Sequence, residues 1–104
     1  MADDVEPFPK GLTRPDAEAL IHELAKESRN LAMEAPHFRE RMRERGITMR
    51  QVLETLREGR VDAEPTKDQY GDWRCVVKKR CAGRLVRVVV AIHDRSLLYG
   101  VTTY

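Results

Sequence analysis

His37, Arg41 and Arg45 recur every fourth residue within "HFRERMRERGIT", residues 37–48. On a helix that interval brings side chains close to one line. A histidine beside guanidinium groups is the raw material of metal-independent RNA cleavage. That reaction takes a base for the 2′-hydroxyl, an acid for the leaving oxygen and cations for the charge of the phosphorane. His37 supplies a group that ordinarily changes charge at about pH 6.5. Arg41 and Arg45, with Arg84 and Arg87, supply planar forks suited to phosphate. Lys78, Lys79 and Arg80 form a run suited to a nucleic-acid backbone. Tyr99 and Tyr104 are suited to stacking on a base or to proton transfer. The candidate catalytic set is therefore His37, Arg41, Arg45 and Tyr104. The candidate nucleic-acid-binding set is Lys78, Lys79, Arg80, Arg84 and Arg87. Plainer roles stand beside these: His37 as a solvated residue of a first helical turn, His93 as a structural residue at a strand end, and His22 as the boundary of an apolar stripe. Trp73 reads as core or rim.

The same stretch carries Arg39 and Arg43, so that arginines stand at alternate positions from 39 to 45. Four such residues cannot share one helix face. With Phe38 and Met42 as the apolar stripe, a turn of 100° per residue puts Arg39 and Arg43 on one flank. His37 and Arg41 border the other side, and Arg45 falls on the stripe itself. A charge on a packing face is costly unless it is paired and hydrogen-bonded. Three readings of Arg45 follow: a structural tie to carbonyls at a helix or strand end, a pair with an internal carboxylate such as Glu34 or Asp62, or a wall of an anion site shared with Arg41 and His37.

These residues must be positioned by a small domain. The chain has 104 residues, 41% hydrophobic and 35% charged, the composition of a globular protein. No apolar run approaches the ~20 residues of a membrane span, and "MADDVEPFPKG" has no apolar signal-peptide core. The expected location is the cytoplasm. Cys75 and Cys81, six residues apart on one strand, would stand about 20 Å from each other, too far for a bridge, and read as packing residues. No spacing of histidines and cysteines suits a metal, and no cofactor is expected.

Charge is uneven. Residues 1–35 hold eight acidic and four basic side chains, residues 36–60 seven arginines against four glutamates, residues 61–72 four acids against one lysine, and residues 73–104 seven basic side chains against Asp94. Two positive segments that could meet in the fold suit a polyanion-facing surface with an acidic N-terminal arm; the alternative is charge that merely keeps the domain soluble.

Residues 1–12, with Pro7, Pro9 and Gly11, read as a flexible arm, and residues 13–104 as one domain. Thr13 caps a first helix running to about Ser28, with Ala17, Leu20, Ile21 and Leu24 at helical spacing. Residues 30–35 read as a short strand or as helical continuation. A second helix covers about 37–45, with Gly46 at C′. Thr48 and Gln51 form a capping-box pattern for a third helix that Gly59 closes. "RVDAEPTKD" reads as a short edge strand, since Pro65 has no N–H for a central ladder. Trp73, Cys75 and Val77 alternate with polar neighbours, a turn falls near Gly83, and "LVRVVVAI" reads as a central strand covered on both faces. "LLYGVTTY" is a final strand. The fold class is α+β, with N-terminal helices packed on a C-terminal antiparallel meander.

The string His37, Arg41-Met42, Arg45-Gly46-Ile47, followed by a short helix, "GRV" and a meander ending in "VTTY", resembles domain-of-unknown-function family 4258. The resemblance covers about residues 30–104 and implies a fold like that of RelE-like and BrnT-like toxins. By that resemblance the chain would be the ribonuclease half of a toxin–antitoxin pair. Its partners would be RNA or the ribosome and a small antitoxin. The matching positions are His37, Arg41 and Arg45, and Phe38 departs from the small residue expected after the histidine. A second class stands beside it: a non-catalytic binding or inhibitor module whose basic face docks a protein or nucleic acid. There the first helix, residues 13–28, could make a homodimer, or with the acidic arm could cover the basic face.

Overall fold

A computed structural model describes residues 7–104. Three helices precede most of a six-stranded mixed sheet, an α+β architecture. The expected arm spans residues 1–12; its first six lie outside the described residues, while Phe8 and Leu12 are buried in the core.

The first helix, α1, is Arg14–Leu24. The Thr13 hydroxyl accepts the Asp16 N–H at 3.4 Å, and Pro15 suits the first turn. Its apolar residues Ala17, Ile21 and Leu24 are buried within the chain, and Leu20 is partly buried against them. It ends four residues before the expected Ser28. Beyond Ala25 the stripe has nothing apolar to bury, and the Asn30 amide donates to the Leu24 carbonyl at 3.2 Å, closing the helix end. A 3-10 turn, Ser28–Asn30, leads into the strand β1, Leu31–Ala32.

The second helix, α2, is Pro36–Arg45, with proline in its first turn. Gly46 takes a left-handed conformation at φ +64°. The N–H of Ile47 donates to the Met42 carbonyl at 2.9 Å, and that of Gly46 to Arg43 at 3.2 Å. This is a Schellman closure that returns Ile47 to the core. The third helix, α3, is Met49–Glu58 and opens with the complete capping box expected of Thr48 and Gln51.

The expected edge strand over "RVDAEPTKD" is two short pieces, β2 (Arg60–Val61) and β3 (Thr66–Lys67), both antiparallel to β4 (Trp73–Cys81). Pro65 lies in the break between them. Ala82 and Gly83, at φ +53° and +81°, make the two-residue hairpin turn into β5, Arg84–Ile92. The last strand, β6, is Leu98–Thr103. Strand order is β1-β6-β5-β4-β2, with β3 also on β4.

The C-terminal meander β4–β5–β6 is antiparallel, as expected. Strand β1 adds a parallel pair at its β6 edge, Leu31 with Leu98 and Ala32 with Tyr99, so the sheet as a whole is mixed. One expectation is corrected: β5 is covered by helices on one face only. Val86, Val88, Val90 and Ile92 are buried beneath α2 and α3 together with Phe38, Leu56 and Val77. On the other face Arg87 and Val89 are half-buried, shielded by cross-strand neighbours such as Val76 rather than by a second layer of described helices. Phe38 lies directly over Gly100, where a Cβ would come within 3.0 Å of its Cδ1 and 2.7 Å of Met33 Sδ. That close approach seats α2 on β6.

Candidate nucleic-acid interface

Opposed residues in a sheet project from the same face. Arg60 opposes Lys78, and Lys78 opposes Arg87. Arg87 and Tyr104, the residue after β6, exchange both backbone bonds: the Arg87 N–H donates to Tyr104 at 2.7 Å and the Tyr104 N–H to Arg87 at 2.9 Å. Arg60, Lys78, Arg87 and Tyr104 therefore form one row on the face away from the helices. At ~4.8 Å per strand the row is about 14 Å long.

The row is charged and partly aromatic. The Arg87 guanidinium lies 5.7 Å from the centre of the Tyr104 ring, and Tyr104 is 43% exposed. Asp62 accepts Lys78 Nζ at 2.7 Å, and that bond, with the Lys78 and Arg87 charges, holds its carboxyl below the usual range. The side chains of Arg60 and Arg87 make no ion pair with the described residues. Where β2 leaves β4, a cavity of about 460 Å³ is lined by Arg60, Lys78, Lys79, Arg80, Leu85 and Glu58. Lys78 and Lys79 are held by carboxylates, while Arg60 and Arg80 make no ion pair with the described residues and give the hollow its attraction for an anion. It is continuous with the row through Arg60 and Lys78.

Not every expected binding residue belongs to this surface. Lys79 projects toward α3, where Glu54 takes its ammonium at 2.8 Å and Glu58 stands at 3.7 Å. The Glu54 hydrogen bond raises the Lys79 pKa, and the same bond lowers that of Glu54. Arg84 also projects to the helix side; it donates to the Gly46 carbonyl at 3.1 Å and to the Arg45 carbonyl. Arg80 is exposed, and its guanidinium donates to Gly83 at 3.4 Å.

The candidate catalytic residues are divided. His37 is exposed in the first turn of α2 and makes no hydrogen bond or ion pair with the described residues. Arg41 pairs with Glu44 at 2.8 Å. Arg45, placed on the packing stripe by the helical wheel, is exposed: it closes the helix just where the chain turns at Gly46, and Ile47 fills the core in its place. The carboxylates suggested for it serve others, Glu34 pairing with Arg39 and Asp62 with Lys78. His37, Arg41 and Arg45 thus lie in the helix layer, while Tyr104 stands with Lys78 and Arg87 on the opposite face. Arg60 was not among the expected binding residues. Its place beside Lys78 depends on a register between β2 and β4 that one sequence does not display.

Of the remaining histidines, His22 Nε2 donates to the Gly59 carbonyl at 2.7 Å and ties α1 to the end of α3, while His93 Nδ1 lies 2.7 Å from Asp72 Oδ1. Cys75 and Cys81 are buried free thiols. No described helix is long and apolar enough to cross a membrane.

Residues 35–104 match the model of a family described as a domain of unknown function (DUF4258). No curated protein and no solved structure matches the chain at a significant level.

Proposed function

The chain belongs to the family described as domain of unknown function DUF4258, and on that premise we propose that it binds RNA through the open face of its sheet. The observation that carries this reading is the row Arg60–Lys78–Arg87–Tyr104, in which three cations from three strands end on an exposed aromatic ring. Phosphate contacts of this kind supply sequence-independent affinity that falls with salt. The test is fluorescence anisotropy of a labelled RNA over a range of salt. Replacing Arg60, Lys78 and Arg87 by alanine should flatten the slope of log affinity against log salt by about 2, at ~0.7 per phosphate contact on a single strand. A well-folded wild type that binds no RNA, or an unchanged slope in the triple variant, overturns the reading.

A second reading, a toxin-like and metal-independent endoribonuclease silenced by a small antitoxin in the cytoplasm, is the one that the family resemblance read from the sequence would imply. It is favoured by Tyr104 lying against Arg87 with Lys78 on the next strand, a phenol beside two cations. Cleavage of mixed RNA in EDTA that falls at least tenfold in Tyr104→Phe, about 1.4 kcal/mol, would support it, and the same loss in Arg41→Ala would bring the helix layer into the reaction. Uncleaved RNA, with and without ribosomes, leaves the binding module.

A further inference from the structure

We propose that the occupant of the open face is a single strand of RNA crossing the sheet at right angles to its strands, with a phosphate in the hollow between Arg60, Lys78 and Arg80 and a base stacked on Tyr104. This rests on the RNA-binding reading above and adds the form of the substrate and its path.

Three observations carry it. First, the cations are not scattered over the face. They form a line whose members come from β2, β4 and β5, and the line begins in the cavity of about 460 Å³. A charged line about 10 Å long, two steps of ~4.8 Å, follows one phosphate backbone; it is too narrow to favour two.

Second, the line ends on a ring and not on another cation. Tyr104 is 43% exposed, and Arg87 lies 5.7 Å from its centroid. A base inside a duplex has both faces covered by its neighbours in the stack. Away from a duplex end, only an unpaired base can lie on an exposed ring, and such stacking is worth about 1–3 kcal/mol. Arg87 then touches both the ring and the backbone, which couples stacking to charge.

Third, the other exposed tyrosine on this face has a different setting. Tyr99 opposes Ala91, and Ala91 opposes Arg74, whose guanidinium is already paired with Asp68 at 3.3 Å. Lys78 in the row is paired too, with Asp62 at 2.7 Å, but Arg60 and Arg87 make no ion pair with the described residues. Arg87 stands directly against Tyr104, where Ala91 stands against Tyr99; the path therefore runs to Tyr104 rather than along β6 to Tyr99.

The experiment is anisotropy with four labelled probes: an RNA single strand of about 12 nucleotides (within the span single-strand modules cover), its blunt duplex, the DNA single strand of the same sequence, and an oligoglutamate peptide. Wild type is compared with Tyr104→Ala, Tyr104→Phe, Tyr99→Ala and the pair Arg60→Ala/Lys78→Ala, each checked by thermal melting. Wild type should bind the RNA single strand at least tenfold more tightly than the duplex or the peptide. Tyr104→Ala should lose that preference, weakening single-strand binding about tenfold while duplex binding stays within twofold. Tyr104→Phe should keep it, and Tyr99→Ala should change nothing beyond twofold. The double cation variant should weaken single strand and duplex alike.

Equal affinity for strand and duplex overturns the proposal, as does indifference to Tyr104→Ala or an equal loss in Tyr99→Ala. If the cation pair matters and Tyr104 does not, the single-strand path falls while RNA binding stands. If no RNA binds, both fall, and tighter binding of oligoglutamate makes the face a docking surface for an acidic protein. DNA bound as tightly as RNA keeps the single-strand path but overturns RNA as the particular occupant, since phosphate and base are common to both.

Discussion

The guanidinium of Arg84 donates to the backbone carbonyl of Arg45, thirty-nine residues earlier in the chain, and to that of Gly46 at 3.1 Å. The last carbonyls of a helix have no partner within it and carry the negative end of its dipole, so a cation there is doubly favoured. One of the three readings of Arg45 was a tie between a guanidinium and carbonyls at an element end. That tie exists with the parts exchanged: Arg45 provides the acceptor, and Arg84, at the start of β5, provides the cation. It fastens the β4–β5 hairpin to the end of α2.

Removing this tie should cost stability and leave RNA binding alone. Hydrogen bonds to charged groups are worth about 1.5–3 kcal/mol when shielded, and Arg84 is exposed, so Arg84→Ala should lower the unfolding free energy by about 1 kcal/mol in urea. Arg84→Lys should recover part of that, since an ammonium is one point of charge where the guanidinium is a fork. A tenfold loss of RNA affinity in Arg84→Ala would show that Arg84 belongs to the binding surface after all.

Two glycines should rank in a fixed order. Gly59 has φ −79°, open to any residue, yet a Cβ there would lie 2.4 Å from the Thr55 carbonyl oxygen and 2.6 Å from that of Lys78. Both obstacles are backbone, so α3 and β4 must separate, and Gly59→Ala should cost at least about 2 kcal/mol. Gly46→Ala meets only the end of the Arg84 side chain at 3.7 Å and should cost about 1 kcal/mol, from its left-handed φ. Chemical denaturation of the two variants reads the order, and the reverse ranking would mean that the α3–β4 packing is softer than described.

Alkaline pH should unfold the protein through Cys75. Burial pushes its thiol from 9.0 up to about 12. The folded state therefore keeps a proton that the unfolded state has lost, and stability that is whole below pH 9 declines as pH rises toward 12. The contribution approaches about 1.4 kcal/mol per pH unit. Cys75→Ala should show a flatter decline over this window in pH-dependent melts. Equal slopes in both proteins would place the alkaline sensitivity elsewhere.

Lys78 and Lys79 are adjacent in sequence and should differ in binding. Lys79→Ala removes a charge already held by Glu54 and Glu58 on the helix side and should change RNA affinity less than twofold. Lys78→Ala removes a member of the row and should lower the salt slope by about 0.7. Equal effects would mean that the probe contacts the helix-side rim of the cavity.

The elements that sequence displayed most clearly are those whose signals are local. Thr48 with Gln51, Gly46 at a helix end and the Ala82–Gly83 turn each act within four residues, and each lies where its chemistry puts it. What was hidden depends on distant pairing. The parallel register of Leu31 with Leu98 makes residues 31 and 32 a strand, and nothing within those two residues says so. The face of Lys79 and the partner of Arg84 were hidden for the same reason. A run of basic residues announces charge, but the pleat of β4 divides that charge between a binding face and a structural one.

The pairing of β1 with β6 also bears on how the chain reaches its fold. The hairpins β4–β5 and β5–β6 close over short loops, while β1 must find a strand sixty-seven residues further on. Closing a loop of that length brings an entropic cost before only two pairs of residues reward it. Strand β1 should therefore dock late, after the meander has formed and α2 has settled on Gly100. In the native state it should open first, and its amides should exchange with solvent well before those of β5.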